Sequence, residues 1–165
     1  MPQAPADLRI LPAQAHQVPL ILSFIRKLAE YEKLSHEVIA DGETLQGFLF
    51  GPRPPAEVIF AYLGERPVAF ALFFTSFSTF VGRPGIYLED LFVDEDCRGQ
   101  GIGKALLQYL AKLTTDRNYG RLEWAVLDWN RPSIDFYESL GAKPMDQWTV
   151  YRLVGAALKD LAGRA

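Results

Sequence analysis

Hydrophobic residues recur every three or four positions over two long parts of the chain, and this spacing predicts amphipathic helices. One helix is predicted from about Ala13 to Glu32 and another from Ile102 onwards, with a short helix over Glu43–Phe50 between them. Apolar runs bounded by turn residues predict strands. The predicted strands are Leu8–Leu11, Val58–Leu63, Pro67–Phe77, Ile86–Val93, Leu122–Leu127 and a last strand around Trp148–Leu153.

A further helix is predicted to be capped near Asn130 and to stop at Gly141. The resulting order, β-α-α-β-β-β-α-β-α-β, is typical of an α/β fold in which a mixed sheet is covered by helices. No repeat or long linker interrupts the 165 residues, so a single domain is expected over 1–165. Its core would span about 8–153, and the tail 154–165 would be a short helix or frayed.

Charge and composition exclude several classes of function. Seventeen Lys and Arg against twenty Asp and Glu give a net charge of −3, so no surplus of cations exists to neutralise nucleic-acid phosphates. A mild acidic excess suits a small cationic ligand if carboxylates converge on one pocket. The longest apolar run, Val68–Phe74, is far shorter than the roughly 20 residues of a membrane span.

Cysteine and histidine content predicts neither disulfides nor a metal site. Cys97 is the single cysteine, and His16 and His36 are far from it in sequence. The first residues lack a basic segment followed by an apolar stretch, so no secretory signal is expected. An intracellular, cytoplasmic protein is the simplest interpretation.

The most informative segment is Asp96–Lys104, DCRGQGIGK, which joins the end of an apolar strand to the start of an amphipathic helix. Glycines let the backbone turn tightly and approach a ligand, and the helix N-terminus supplies free N–H groups, so the segment predicts a pyrophosphate-binding loop. It is not a Walker A loop, because Arg98 and Ala105 stand where Gly and Ser or Thr are needed. The glycine spacing also differs from the dinucleotide fingerprint. The structural alternative is a tight turn with close helix packing.

Two carboxylates and one tyrosine are candidates for proton transfer. Glu89 and Asp90 interrupt an apolar strand and, by alternation, are expected to point to opposite faces. Tyr137 follows Ser133 and Asn130 at helical spacing, so the three share one helix face. The alternatives are solvated or paired carboxylates, a tyrosine that bonds locally, and an Asn130 that only caps its helix.

The chain resembles the Gcn5-related N-acetyltransferase (GNAT) superfamily. Its pyrophosphate loop has the pattern (Gln or Arg)-x-x-Gly-x-(Gly or Ala), which Arg98–Gly103 matches. Within the superfamily, four segments resemble, in order, the diamine acetyltransferases, which include the spermidine/spermine and thialysine enzymes. They are LAEYEKL (Leu28–Leu34), YLEDLFV (Tyr87–Val93), RGQGIG (Arg98–Gly103) and WNRPSIDFYESLGA (Trp129–Ala142). The resemblance extends from Leu8 to Leu153.

The resemblance implies direct transfer of an acetyl group from acetyl-CoA to a primary amine, in a homodimer. It assigns Tyr137 as the acid that protonates the departing thiolate. It assigns Glu89 as the carboxylate that accepts the amine proton through water. The implied cofactor contacts are Leu91, Phe92, Val93, Arg98, Gly99, Gln100, Gly101, Ile102, Gly103, Lys104, Asn130, Ser133 and Tyr137. The implied amine-pocket or subunit-interface residues are Tyr31, Glu32, Glu89, Asp90, Glu123, Trp124 and Trp148.

The acceptor is less closely defined than the donor. Glu123 departs from the pattern expected of the polyamine enzymes, so polyamines, diamines, thialysine-like amino acids and aminoglycoside-like amines stay open. A protein amine is a further alternative for the acceptor. A CoA-binding sensor without catalytic activity is the alternative of a different class.

Overall fold

A computed structural model of the chain describes residues 2–163. A five-stranded mixed sheet has the order β1-β2-β3-β4-β5. Its strands are β1 (Leu8–Pro12), β2 (Glu57–Leu63), β3 (Arg66–Ser78), β4 (Arg83–Val93) and β5 (Leu122–Trp124). The helices are α1 (Val18–Tyr31), α2 (Gly42–Leu49), α3 (Ile102–Asp116), α4 (Arg131–Ser139) and α5 (Gly155–Leu161). The predicted α/β class is confirmed, and the chain forms two compact units that divide between Ala125 and Val126.

The core of the first unit is a row of aromatic residues across the sheet. Phe60 lies opposite Phe70, and Phe70 lies opposite Phe92, so the alternation of strand side chains places all three on one face. Phe24 of α1 packs on this row, with its ring centre 5.3 Å from that of Phe70. Apolar burial of this kind stabilises the unit and fixes α1 against the C-terminal end of β4.

The opposite face of the sheet is covered by α3. The neighbouring row of paired residues, Ile59 and Ala71, is buried and points away from the aromatic row. The side chains of Leu106 and Leu110 in α3 have no exposed surface. The apolar stripe that predicted this helix therefore packs onto the sheet.

Strand β4 departs from regular alternation in its middle. Leu72 pairs with Asp90 and Phe73 pairs with Leu88, so Glu89 is an extra residue in β4. This is a β-bulge, at which the strand bends and side chains are re-aimed. The sequence analysis expected Glu89 and Asp90 to point to opposite faces. The bulge removes the basis of that expectation, because regular alternation does not hold across it.

The ladder between β4 and β5 is short. The two strands are parallel and pair only at Ile86–Leu88 with Leu122–Trp124. Residues 89–93 of β4 thus continue beyond the end of β5. The predicted strand Leu122–Leu127 ends at Trp124, three residues earlier than expected.

Two other expectations about regular structure are corrected. A 3-10 turn at Ala15–Gln17 precedes α1, which begins at Val18 with Pro19 in its first turn. The expected last strand does not form, because residues 148–153 have no strand partner within the described part of the chain. A strand needs a neighbour for its backbone N–H and C=O groups. No described helix is long and apolar enough to span a membrane.

Candidate active site

The loop after β4 has the backbone geometry that its glycines predict. A 3-10 turn at Glu95–Cys97 leaves the strand, and α3 begins at Ile102. Gly99 and Gly101 have φ angles of 75° and 78°, a left-handed region that other residues enter only with strain. Gly103 lies inside the first turn of α3. Two of the three glycines are therefore required by the turn itself.

The start of α3 presents backbone donors without helical partners. Gly101 is the N-cap and has no side chain to cap the helix, and the first helical bond runs from the Ala105 N–H to the Gly101 carbonyl at 3.0 Å. The N–H groups of Ile102, Gly103 and Lys104 have no acceptor within the helix. An anion binds well at such a terminus. The loop therefore fits the pyrophosphate of a nucleotide cofactor.

Gly101 is also where the N-terminal segment passes over the loop. A Cβ atom at this position would lie 2.7 Å from the Pro2 carbonyl oxygen and 2.8 Å from the Ala4 nitrogen. No side chain fits between these backbones. At Gly99, by contrast, a Cβ would meet nothing within 4 Å.

Charged side chains hold the beginning of the loop, and sequence analysis did not single them out. Asp94 is buried, and its carboxylate accepts hydrogen bonds from Lys27 at 2.7 Å and from Arg66 at 3.2 Å. Arg66 also binds Asp96 through two bonds of 2.7 and 2.9 Å, and it holds the pKa of that carboxyl below its usual range. The signal available in the sequence was an Asp-x-Asp pair directly after an apolar strand.

Arg98 makes contacts that its position in the loop did not predict. Its Nε donates to the Val93 carbonyl at 3.1 Å. The Cζ atom lies 4.6 Å from the centre of the Tyr31 ring and 5.3 Å from that of Phe92. The guanidinium is thus directed at the ends of β4 and α1. Contact between Arg98 and phosphate oxygens stays a prediction.

The structure brings together three of the predicted substrate-side carboxylates. The pKa of Asp90 is raised to about 6, chiefly by burial and further by the charges of Glu89 and Glu32. Partial burial also raises the pKa of Glu32, at the end of α1. The carboxylates at the end of α1 and at the bulge of β4 are thus close enough to repel one another. A site of this kind attracts a cation, because an ammonium would relieve the repulsion.

Glu123 and Trp124 lie on β5, beside the bulge-bearing strand. Glu123 is opposite Tyr87 and forms an ion pair with Arg121 at 2.6 Å. The pKa of the Tyr87 phenol is raised by burial and by the charges of Glu89 and Glu123. The half-buried Trp124 is opposite Leu88. Because Arg121 already compensates the charge of Glu123, this residue has less charge available for an amine than Asp90 has.

The remaining predicted residues belong to the second unit. Asn130 is the N-cap of α4 and accepts from the Ser133 N–H at 3.4 Å, as its capping alternative expected. Tyr137 follows on α4, with its ring centre 5.4 Å from that of Phe136. Gly141 ends the helix region with a φ of 87°. Trp148 lies in the irregular segment after α4 and is 73% exposed.

A cavity of about 710 Å³ opens in the first unit between α1 and the beginning of the loop. Its lining carries both signs of charge and two aromatic rings, from Lys27, Glu30, Tyr31, Arg66, Phe92, Asp94, Glu95, Asp96 and Arg98. Among the described residues no group of His, Cys, Asp and Glu is arranged to hold a metal ion.

The sheet with its bulged β4 and the glycine loop before α3 suit an enzyme that binds a nucleotide cofactor, and comparison with known proteins identifies the class. The family model described as "Acetyltransferase (GNAT) family" matches residues 24–142. The chain belongs to this family and is an acetyltransferase. Enzymes of the family use acetyl-CoA as co-substrate.

Individual relatives cover most of the chain. A thialysine N-epsilon-acetyltransferase of Bos taurus is 39% identical over 155 residues, covering 87% of this chain and 91% of its own length. An L-ornithine N5-acetyltransferase of Arabidopsis thaliana is 30% identical and covers 93% of this chain and 87% of its own. A solved integron cassette protein of V. cholerae is similar with a TM-score of 0.79 and 28% identity, covering 96% of this chain and 99% of its own.

Proposed function

We propose that this acetyltransferase moves the acetyl group of acetyl-CoA to the primary amine of a small cation, either a diamine, a polyamine or an amino acid with a side-chain amine. The observation that carries the proposal is a group of three carboxylates: Glu89 and Asp90, on the strand that leads into the glycine loop, and Glu32, at the end of α1. The names of the thialysine and ornithine relatives support an acceptor of this size.

The carboxylates bind the protonated amine and help to remove its proton before the attack. An alkyl amine with a pKa near 10.4 is only about 0.04% neutral at pH 7, which corresponds to roughly 4.6 kcal/mol. Asp90 and Glu32 attract the ammonium and hold it, with the Tyr31 ring beside them. Glu89, the extra residue of the bulge, accepts the proton through a water molecule. Removal of this proton leaves the amine lone pair free to attack a carbonyl carbon.

The backbone of the first unit provides the donor side. The free N–H groups of Ile102, Gly103 and Lys104 bind the pyrophosphate, and Arg98–Gly101 shape the turn around it. The edge of β4 at Leu91–Val93, beyond the end of β5, offers backbone groups to the amides of the cofactor arm. When bound, the cofactor supplies a thioester, and its carbonyl carbon is the electrophile that the amine attacks.

The resemblance to the family assigns the acid to Tyr137. Tyr137 donates a proton to the sulfur as the thiolate departs, and Asn130 and Ser133 on the same helix face bind the cofactor. A phenol with pKa near 10 gives its proton to a thiolate with a conjugate acid near 8.5 uphill by about 2 kcal/mol, so the site must assist the step. Tyr137→Phe is expected to lower kcat by about 10²- to 10³-fold with little change in acetyl-CoA affinity. An unchanged kcat in stopped-time product assays would remove Tyr137 from the mechanism.

The same proposal includes one domain over the whole chain, a cytoplasmic location and a homodimer. The irregular segment after α4 exposes large apolar side chains, with Trp148 at 73% and Tyr151 at 92%. Exposure of this extent is common at protein interfaces. Light scattering on a gel-filtration column tests the dimer, and a monomer mass at micromolar concentration contradicts it.

The acceptor is tested directly by steady-state release of CoA. Acetyl-CoA is held constant while putrescine, spermidine, spermine, thialysine, ornithine, lysine and an aminoglycoside are varied. Saturation by one small amine at micromolar to low millimolar concentration is expected. Flat rates with every amine, together with tight acetyl-CoA binding by calorimetry, would favour a protein acceptor or a CoA-binding sensor instead.

A further inference from the structure

The guanidinium of Arg98 lies against two aromatic rings of the first unit, at 4.6 Å from Tyr31 and 5.3 Å from Phe92. Its Nε is used in the hydrogen bond to the Val93 carbonyl. Arg98 forms no ion pair with a carboxylate among the residues that the structure describes. Although it begins the glycine loop, its contacts are with the end of α1 and the end of β4.

The two rings differ in how they are anchored. Phe92 is buried in the aromatic row, with its ring centre 6.3 Å from that of Phe24. Tyr31 is the last residue of α1, and the chain reverses just after it at Lys33, which has a φ of 62°. Arg98 therefore connects the C-terminal end of α1 to a fixed point of the sheet.

This connection joins the two halves of the proposed reaction. Tyr31 is followed directly by Glu32, which contributes with Glu89 and burial to the raised pKa of Asp90. Arg98 is followed directly by Gly99, where the left-handed turn of the loop begins. The Arg98 side chain thus contacts Tyr31, which precedes one of the proposed amine-binding carboxylates. The Arg98 backbone leads directly into the proposed cofactor loop.

We propose that Arg98 is a positioning residue that couples the cofactor loop to the amine side of the site through the Tyr31 ring. The inference rests on the proposed function, because it takes the loop as the acetyl-CoA site. A planar guanidinium stacks on aromatic faces and bonds a carbonyl at the same time, which the ammonium of lysine does not reproduce. Arg98 would then shape the loop by its contacts with protein rather than by its charge alone.

Calorimetric titration with acetyl-CoA tests the coupling without any amine acceptor. Tyr31→Leu removes the ring and is expected to weaken acetyl-CoA binding roughly two- to fivefold, although Tyr31 is outside the loop. Tyr31→Phe keeps the ring and is expected to bind acetyl-CoA like the wild type. Arg98→Lys keeps the charge and is expected to lose about as much affinity as Tyr31→Leu. In the double variant the losses should not multiply, because both substitutions break one contact.

A second pair of residues in the same unit provides the matched control. Arg9 lies 5.8 Å from the centre of the Tyr62 ring, so Tyr62→Leu removes a similar contact that has no link to the loop. Its acetyl-CoA affinity should equal that of the wild type at a temperature where both are folded. Unchanged affinity in Tyr31→Leu, an equal loss in Tyr31→Phe or Tyr62→Leu, or multiplying losses in the double variant would overturn the coupling and leave the proposed function intact. A wild-type protein that binds no acetyl-CoA would overturn both.

Discussion

The bulge of β4 and the loop that follows the strand are proposed to bind ligands of opposite charge, the bulge through side chains and the loop through the backbone. In the proposed function the loop binds an anion through its backbone, and the positive φ angles of Gly99 and Gly101 require residues without a side chain. In the same proposal the bulge attracts a cation through side chains, because the carboxylates of Glu89 and Asp90 lie close together. The function of the loop therefore depends on its backbone conformation, and that of the bulge depends on its carboxylates. Substitutions in the loop should lower cofactor affinity, whereas substitutions in the bulge should lower kcat.

The largest expected effect is on chemistry at the bulge. Glu89→Gln keeps the size of the side chain and removes the proton acceptor, so kcat should fall by about 10²- to 10³-fold. Acetyl-CoA affinity should stay unchanged because the loop does not depend on this side chain. Steady-state kinetics and calorimetry on the same preparation measure both quantities. A variant that loses cofactor affinity instead would erase the distinction between the two regions.

The next effect is on the conformation of the loop. Gly101→Ala places a Cβ 2.7 Å from the Pro2 carbonyl oxygen at a φ of 78°, so the turn and the N-terminal segment must shift. Acetyl-CoA affinity should fall at least about tenfold. Gly99→Ala is the matched control, because its φ is 75° but the added atom meets nothing within 4 Å. Equal losses in the two variants would show that strain alone, and not the close approach, decides the effect.

The third effect is on stability and depends on pH. The folded protein raises the pKa of Asp90 from 3.8 to about 6, so the native state binds this proton more tightly than the unfolded state. The stabilisation is complete below pH 3.8 and is lost as the pH rises through about 6. Asp90→Asn should therefore increase the free energy of unfolding by at most about 3 kcal/mol at pH 8 and by about 0.5 kcal/mol at pH 4. Urea denaturation across this range measures it.

Glu89→Gln provides the companion measurement for Asp90. The charge of Glu89 is one cause of the raised pKa, so its removal should move the pKa of Asp90 downward. Carboxyl chemical shifts followed by NMR during a pH titration report that change directly. An Asp90 carboxyl that titrates at its ordinary value in the wild type would contradict the proposed crowding of charge.

The smallest expected effect concerns the ion pairs that hold the loop. Asp94→Asn weakens the bonds with Lys27 and Arg66 and should lower the free energy of unfolding by about 1 to 2 kcal/mol, with a smaller decrease in acetyl-CoA affinity. Lys112→Ala breaks the exposed pair with Asp116 and should cost about 0.5 kcal/mol or less. If the two variants lose the same stability, the burial of Asp94 contributes nothing.

Features set by local pattern were predictable from the sequence, and features set by distant partners were not. The spacing of Ile102, Leu106 and Leu110 predicted α3, and the glycines predicted the tight turn that precedes it. The bulge at Glu89 was missed, because it depends on the register of β3 against β4. The stacking of Arg98 on Tyr31 depends on the packing of α1, which no spacing in the sequence reports.

The C-terminal part shows the same limit. Trp148 and its neighbours have the composition of a strand, but a strand forms only where a second strand accepts it, and residues 148–153 have none within the described chain. Asn130 illustrates the converse case, because its capping bond to Ser133 involves only its own helix and was predictable. The sequence-based assignment of site residues is strongest in the loop, whose geometry is local.

The short pairing between β5 and β4 has a consequence for how the protein behaves in a crowded solution. A strand that extends past its neighbour offers free N–H and C=O groups to strands of other molecules, which is a common route to aggregation. In β4 this stretch begins at Glu89 and Asp90, and two carboxylates discourage an added strand. Replacing both carboxylates to gain stability would therefore favour association of the protein through this edge of the sheet.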